Sequence, residues 1–115
     1  MPEQPSLAPQ ERQLFEKRCT RAVLDRLGYA ARQIGRRTRM EQMISAMGIV
    51  DALRSLGSKD TTTGWTDLYV NGLMGYSAEA TVVESIDFRR LFTSDEITAM
   101  EAELREMGYE PKQPR

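Results

Sequence analysis

One stretch decides the fold of this chain: TRMEQMISAMGIVDALRSL, residues 38–56. It opens with Thr38 and Glu41, whose spacing is that of a capping box, in which each side chain accepts a hydrogen bond from the other residue's backbone amide. The apolar residues that follow recur at steps of three and four, the period of one helix face: Met40, Met43, Ile44, Met47, Val50, Leu53 and Leu56. The sequence therefore predicts a central core helix near 39–56, ended by Gly57.

An amphipathic helix is predicted before this stretch, over residues 10–27. Its apolar face is formed by Leu14, Phe15, Cys19, Ala22, Val23 and Leu27. Gly28 is expected to end it, with Tyr29 folding back on the last turn. Residues 30–37 form either a short helix or a basic linker, because Gly35 weakens a helix there.

The C-terminal half contains a second capping box, Thr93 with Glu96, which predicts a helix over 94–107 that Gly108 ends. Between the two capping boxes the pattern is weaker. Residues 65–85 are either helical or contain a hairpin, since Asn71-Gly72 is a typical hairpin turn. Ser77 is a candidate cap for a short helix through Ser85.

These elements predict an all-α fold, a compact bundle of about four to five helices. We expect one helical domain over 10–110. Residues 1–9 are expected to form a disordered arm because they contain three prolines. Residues 111–115 are expected to form a mobile tail with two more prolines.

Composition excludes several kinds of site. The 115 residues include no histidine and one cysteine, Cys19. Histidine-based triads, zinc clusters and internal disulfides are therefore ruled out. No Gly-rich phosphate loop is present. We expect no catalytic residue, metal or cofactor, and an enzyme that works through carboxylates is the most distant alternative. With no apolar run long enough to span a bilayer and no signal-peptide pattern near the start, we expect a cytoplasmic protein that does not enter the membrane.

Charge is the most informative feature for function. The segment from Arg12 to Arg39 contains nine basic residues and two acids, although the whole chain has a net charge of −1. The candidate anion- or partner-binding residues are Arg18, Arg21, Arg32, Arg36, Arg37 and Arg39. A candidate aromatic contact is formed by Trp65, Tyr69 and Tyr76. Arginine forms bidentate bonds with both carboxylates and phosphates.

Two interpretations of the arginines stay open. In the first, they form a plain solvated surface or pair inside the chain with glutamates of the C-terminal half, for which Glu101, Glu103, Glu106 and Glu110 are available. Alternatively, they bind an anionic partner. On the second interpretation the chain is a small non-catalytic regulator, adaptor or inhibitor, of the kind that phages and plasmids encode, which docks on an acidic protein or a nucleoprotein complex.

Direct binding of DNA or RNA is the alternative function, because the same arginines suit phosphates. A helix-turn-helix alignment with Gly35 at the turn fits only in part, since Arg36 and Glu41 fall at positions that are normally apolar or buried. The oppositely charged halves also permit self-association, for which a closed homodimer is the expected form.

Overall fold

The computed structural model describes residues 7–35, 39–57, 68 and 70–115. In that part of the chain there is no strand, and the α-helices are α1 (Pro9–Ile34), α2 (Arg39–Met47), α3 (Ile49–Gly57), α4 (Ala78–Val83), α5 (Ile86–Arg89) and α6 (Ser94–Glu106). A 3-10 turn, Met74–Tyr76, precedes α4. The prediction of an all-α compact bundle is confirmed, and six α-helices have their bounds within the described residues. None of the helices found in these segments combines the length and the apolar character needed to span a bilayer.

The first helix is longer than the sequence predicted. Pro9 occupies its first position, and the Glu11 side chain accepts a hydrogen bond from the Ala8 amide at 3.4 Å. The helix passes through Gly28 without a break and ends at Gly35, whose amide donates to the carbonyl of Ala31 at 2.7 Å. The predicted stop at Gly28 is therefore wrong, and the described residues of 30–37 continue α1. At about 1.5 Å per residue, α1 is as long as the molecule, whose longest extent is 39 Å.

The predicted single helix over 39–56 is divided at Gly48. This glycine has φ +87°, a left-handed backbone conformation that residues with a side chain rarely adopt. The turn still satisfies its backbone groups, since Gly48 donates to Ile44 at 2.9 Å and Ala52 donates to Gly48 at 3.0 Å. Six apolar residues around the kink lie in the core: Met40, Ile44, Ile49, Val50, Ala52 and Leu53. Met47 was predicted on the same face, and it is 43% exposed because the chain turns at the next residue. The predicted Thr38 cap lies outside the described residues.

The centre of the bundle is α4, not the 39–56 stretch. All six residues of α4 are buried, and the helix packs against both α1 and α6. Ser77 caps it as predicted, its hydroxyl accepting from the Ala80 amide at 3.1 Å. Small side chains such as Ala78 and Ala80 allow two neighbouring helices to approach closely. One acid, Glu79, is also buried here, at 3% exposure, although the sequence placed the acids mainly on surfaces and caps.

The last helix is confirmed with its predicted caps. The Thr93 hydroxyl accepts from the Glu96 amide at 3.1 Å, and the Glu96 carboxylate accepts from the Thr93 amide at 2.8 Å. At the other end the Tyr109 amide donates to Leu104 and the Gly108 amide donates to Arg105, the two bonds of a Schellman motif. Arg54 of α3 reaches the same carboxylate of Glu96 through two donors, at 2.7 and 3.3 Å.

The residues at the two chain ends pack against the bundle where the structure describes them. Residues 1–6 of the predicted arm lie outside the described residues, and Leu7 packs against the core. A mobile tail was expected after Pro111. Instead, the Arg115 amide donates to the carbonyl of Glu84 at 3.1 Å, and the Ile86 amide donates to the carbonyl of Arg115 at 3.0 Å.

Acid is expected to weaken the contact between α3 and α6. Burial alone would raise the pKa of Glu96, but the hydrogen bonds from Arg54 and Thr93 outweigh it and lower the pKa. A group whose pKa falls on folding stabilises the folded state above its unfolded pKa, about 4.3 for glutamate, and that stabilisation is lost as pH falls through the folded value. Urea unfolding from neutral pH to about pH 3 should therefore show a smaller loss of stability for Glu96→Gln than for the wild type.

The control for this experiment is Asp95→Asn. Asp95 is the exposed neighbour of Glu96, and it forms no ion pair among the residues that the structure describes. Its variant should lose stability with acid as the wild type does. Equal acid losses for Glu96→Gln and the wild type would show that the Arg54 contact makes no contribution.

Candidate interaction surface

One face of α1 brings together three of the predicted arginines. Because the helix is continuous, residues that follow at steps of three and four lie on one side of it. We call this face the α1 ridge; it consists of Leu14, Arg18, Arg21, Asp25, Tyr29 and Arg32. All six are exposed, whereas the buried residues of the helix, Cys19, Val23, Leu27 and Ala30, point to the opposite side. Arg18, Arg21 and Arg32, three of the candidate partner-binding residues, therefore share one face of α1.

The ridge arginines have no acidic partner among the residues that the structure describes. Among the described residues, Arg18, Arg21 and Arg32 form no ion pair or side-chain hydrogen bond. Two of the four glutamates available to them have other partners. Glu101 lies 3.5 Å from Arg89, and Glu110 lies 3.1 Å from Arg105.

The other two glutamates, Glu103 and Glu106, form no ion pair with the ridge arginines among the described residues. Burial and then the nearby charge of Glu106 raise the pKa of Glu103. Both α1 and α6 pack against α4. In the described part of the chain, the four candidate glutamates therefore do not pair with the ridge.

An aromatic pair adjoins the arginines on the ridge. Tyr29 of α1 stacks on Tyr76 of the 3-10 turn, with ring centroids 4.8 Å apart and an angle of 28° between the rings. Tyr76 was a predicted contact residue, and the structure places it beside the ridge through Tyr29. The other two predicted aromatic residues, Trp65 and Tyr69, lie outside the described residues.

The remaining predicted arginines are only partly located. Arg36 and Arg37 lie outside the described residues. The backbone of Arg39 begins α2, and its side chain is outside the description. The structure thus places Arg18, Arg21 and Arg32 on one face, with Tyr76 beside them. The side chains of the other predicted residues lie outside the description.

A cleft of about 700 Å³ opens beside α1, away from the ridge arginines. Its lining includes Glu84, which accepts hydrogen bonds from the Tyr109 hydroxyl and, at 3.0 Å, from the Lys112 amide. Arg26 lies 3.7 Å from the same carboxylate and donates to the Gly75 carbonyl at 3.2 Å. Burial, together with the hydrogen bond to Glu84 and the charge of Glu84, raises the pKa of Tyr109 to about 12. These groups bind one another, and their contacts hold the tail against the end of α4.

The single cysteine is placed as the sequence predicted. Cys19 is fully buried on the inner side of α1, and burial and then the charge of Glu16 raise its pKa to about 12. A protonated thiol without access to solvent is a small apolar residue and a poor nucleophile. Within the described part of the chain, no group of three acidic or cysteine side chains is arranged to hold a metal ion.

No family model, curated protein or solved structure matches this chain. The function is therefore argued from the ridge itself. Sequence reasoning missed three of its members, Leu14, Asp25 and Tyr29. The signal for the last of them was present, since a helix that continues past Gly28 places Tyr29 one turn after Asp25 on the same face.

Proposed function

We propose that this chain is a small non-catalytic interaction protein, a regulator, adaptor or inhibitor, that docks the α1 ridge on an anionic surface of a larger protein or nucleoprotein complex in the cytoplasm. The observation that carries the proposal is the exposure of Arg18, Arg21 and Arg32 on one helix face, where they form no ion pair with any of the residues that the structure describes. Direct binding of DNA or RNA through the same arginines is the alternative.

The energetics favour an outside partner for these side chains. Lys17 and Arg21, and Arg18 and Arg21, are neighbours on α1, and like charges at these spacings repel by a few tenths of a kcal/mol, roughly 0.2–0.5 per pair. An acidic surface removes this repulsion. It also offers carboxylates to guanidinium groups, and each such charge-assisted hydrogen bond contributes about 1.5–3 kcal/mol.

The test is affinity purification from the native host after nuclease treatment, with the variant Arg18→Glu/Arg21→Glu. We expect the captured protein to be lost or its affinity to fall by at least about 100-fold, since two charge-assisted bonds disappear. Circular dichroism should stay helical, because both side chains are exposed. The matched control is Lys112→Glu/Arg115→Glu, which changes the charge equally at two exposed tail residues outside the ridge.

The outcomes separate the hypotheses. Equal capture by wild type and Arg18→Glu/Arg21→Glu would show that the ridge is not the docking surface. Loss of all capture after nuclease treatment, together with a DNA gel shift that weakens steeply as salt rises, would favour the alternative, because phosphate contacts release counterions. No gel shift at low salt would discard direct binding.

A further inference from the structure

The sign of charge changes along the α1 ridge. Asp25 lies between Arg21 and Arg32 on the same exposed face, and it forms no ion pair among the described residues. Along the ridge the charge is therefore positive at Arg18 and Arg21, negative at Asp25 and positive again at Arg32. A partner that covers this face has to meet a carboxylate between the cationic groups.

A nucleic-acid backbone does not match this pattern. The ridge from Arg18 to Arg32 is about 21 Å long, at 1.5 Å per residue. Over such a length duplex DNA presents negative charge continuously, about one per 1.7 Å of axis. A backbone that reaches both ends of the ridge would bring phosphates close to Asp25, and like charges in contact repel.

The uncharged members of the ridge also favour a protein. Leu14 is 46% exposed at one end, and the stacked pair of Tyr29 and Tyr76, 39% and 36% exposed, lies toward the other. Tyrosine and arginine are enriched in the cores of protein interfaces. Single-stranded nucleic acid would use free ring faces for stacking, and here one face of each ring is covered by the other ring.

We infer that the α1 ridge binds an acidic α-helix of a partner protein, with carboxylates opposite Arg18, Arg21 and Arg32 and a lysine or arginine opposite Asp25. A helix that packs alongside α1 presents side chains at the same steps of three and four. The inference rests on the proposed function, and it adds the class of partner and the sign of charge that the partner carries at each position.

The experiment uses two synthetic helical peptides and a short DNA duplex as probes. The first peptide has glutamates at its first, fourth and fifteenth positions and lysine at its eighth, which copies the spacing of the ridge. The second peptide has glutamate in place of that lysine. Binding to the full chain is measured by fluorescence anisotropy. The wild type should bind the lysine peptide about tenfold more tightly than the all-acidic one, which corresponds to about 1.4 kcal/mol.

The decisive variant is Asp25→Lys, which should reverse this preference and bind the all-acidic peptide more tightly. Glu106→Lys is the control, because it makes the same charge change at an exposed residue of α6, outside the ridge; it should keep the preference of the wild type. Tighter binding of DNA than of either peptide by the wild type would overturn the inference. So would failure of the wild type to bind the lysine peptide.

A third variant separates the inference from the proposed function. If the wild type binds both peptides equally and Arg18→Glu/Arg21→Glu binds neither, the ridge docks on acidic surfaces but the role of Asp25 is wrong. If Arg18→Glu/Arg21→Glu binds as the wild type does, both proposals fail.

Discussion

Leu27→Ala is expected to lower the free energy of unfolding by about 2–5 kcal/mol, the range found for truncation of a large buried side chain. Leu27 has no exposed surface, and it lies on the inner side of α1, the helix that packs against α2, α3 and α4. Domains of this size are stabilised by only about 5–15 kcal/mol in total. Urea unfolding monitored by circular dichroism measures the loss.

The control is the same substitution on the same helix. Leu14 is 46% exposed on the ridge, so Leu14→Ala should change the stability by less than about 0.5 kcal/mol. Large losses for both variants would mean that α1 is rotated about its axis relative to the structure. In that case Arg18, Arg21 and Arg32 would not form an exposed ridge, and the proposed function would lose its basis.

Some helix caps and helix ends that depend on neighbouring residues were predicted correctly from the sequence. The capping box of Thr93 with Glu96, the Ser77 cap and the helix end at Gly108 each depend on residues within a few positions of one another. Their signals are therefore complete in a short window of sequence. The buried position of Cys19 was also predictable, because it follows from helical spacing alone.

The position of Leu14 and the roles of Gly28 and Gly48 were not predictable in this way. Leu14 was assigned to the apolar face, and the structure exposes it because the buried face is centred on Cys19, Val23 and Leu27. Gly28 and Gly48 both interrupt helical patterns. A single sequence does not show at which of them tertiary packing keeps the helix continuous. The structure keeps the first inside α1 and bends the chain at the second.

The candidate surface was predictable in composition but not in arrangement. The excess of arginine is visible in the sequence, but the common face of Arg18, Arg21 and Arg32 depends on α1 continuing past Gly28. The lack of an ion pair for these three arginines among the described residues depends on long-range placement, such as Arg54 beside Glu96 and Arg89 beside Glu101. Contacts of this kind are set by how the layers pack, with both α1 and α6 against α4.

The two glycines give the second large prediction, with opposite signs for one substitution. Gly28 is helical and a Cβ added there meets no atom within 4 Å, so Gly28→Ala should raise the stability by about 0.5–1 kcal/mol. Gly48 has φ +87°, so an alanine there would adopt a left-handed conformation that costs about 1–2 kcal/mol. Urea unfolding of the two variants beside the wild type tests both values, and each serves as the control for the other.

The signs of these two stability changes show where the chain bends and therefore whether the ridge exists. If Gly28→Ala were destabilising, α1 would be interrupted there, and Arg32 would not align with Arg18 and Arg21. If Gly48→Ala were stabilising, residues 39–56 would form the single straight helix that the sequence predicted. The expected result is a gain in stability for Gly28→Ala and a loss for Gly48→Ala. That result means that α1 continues through Gly28, and only an unbroken α1 aligns the three guanidinium groups along about 21 Å of one face.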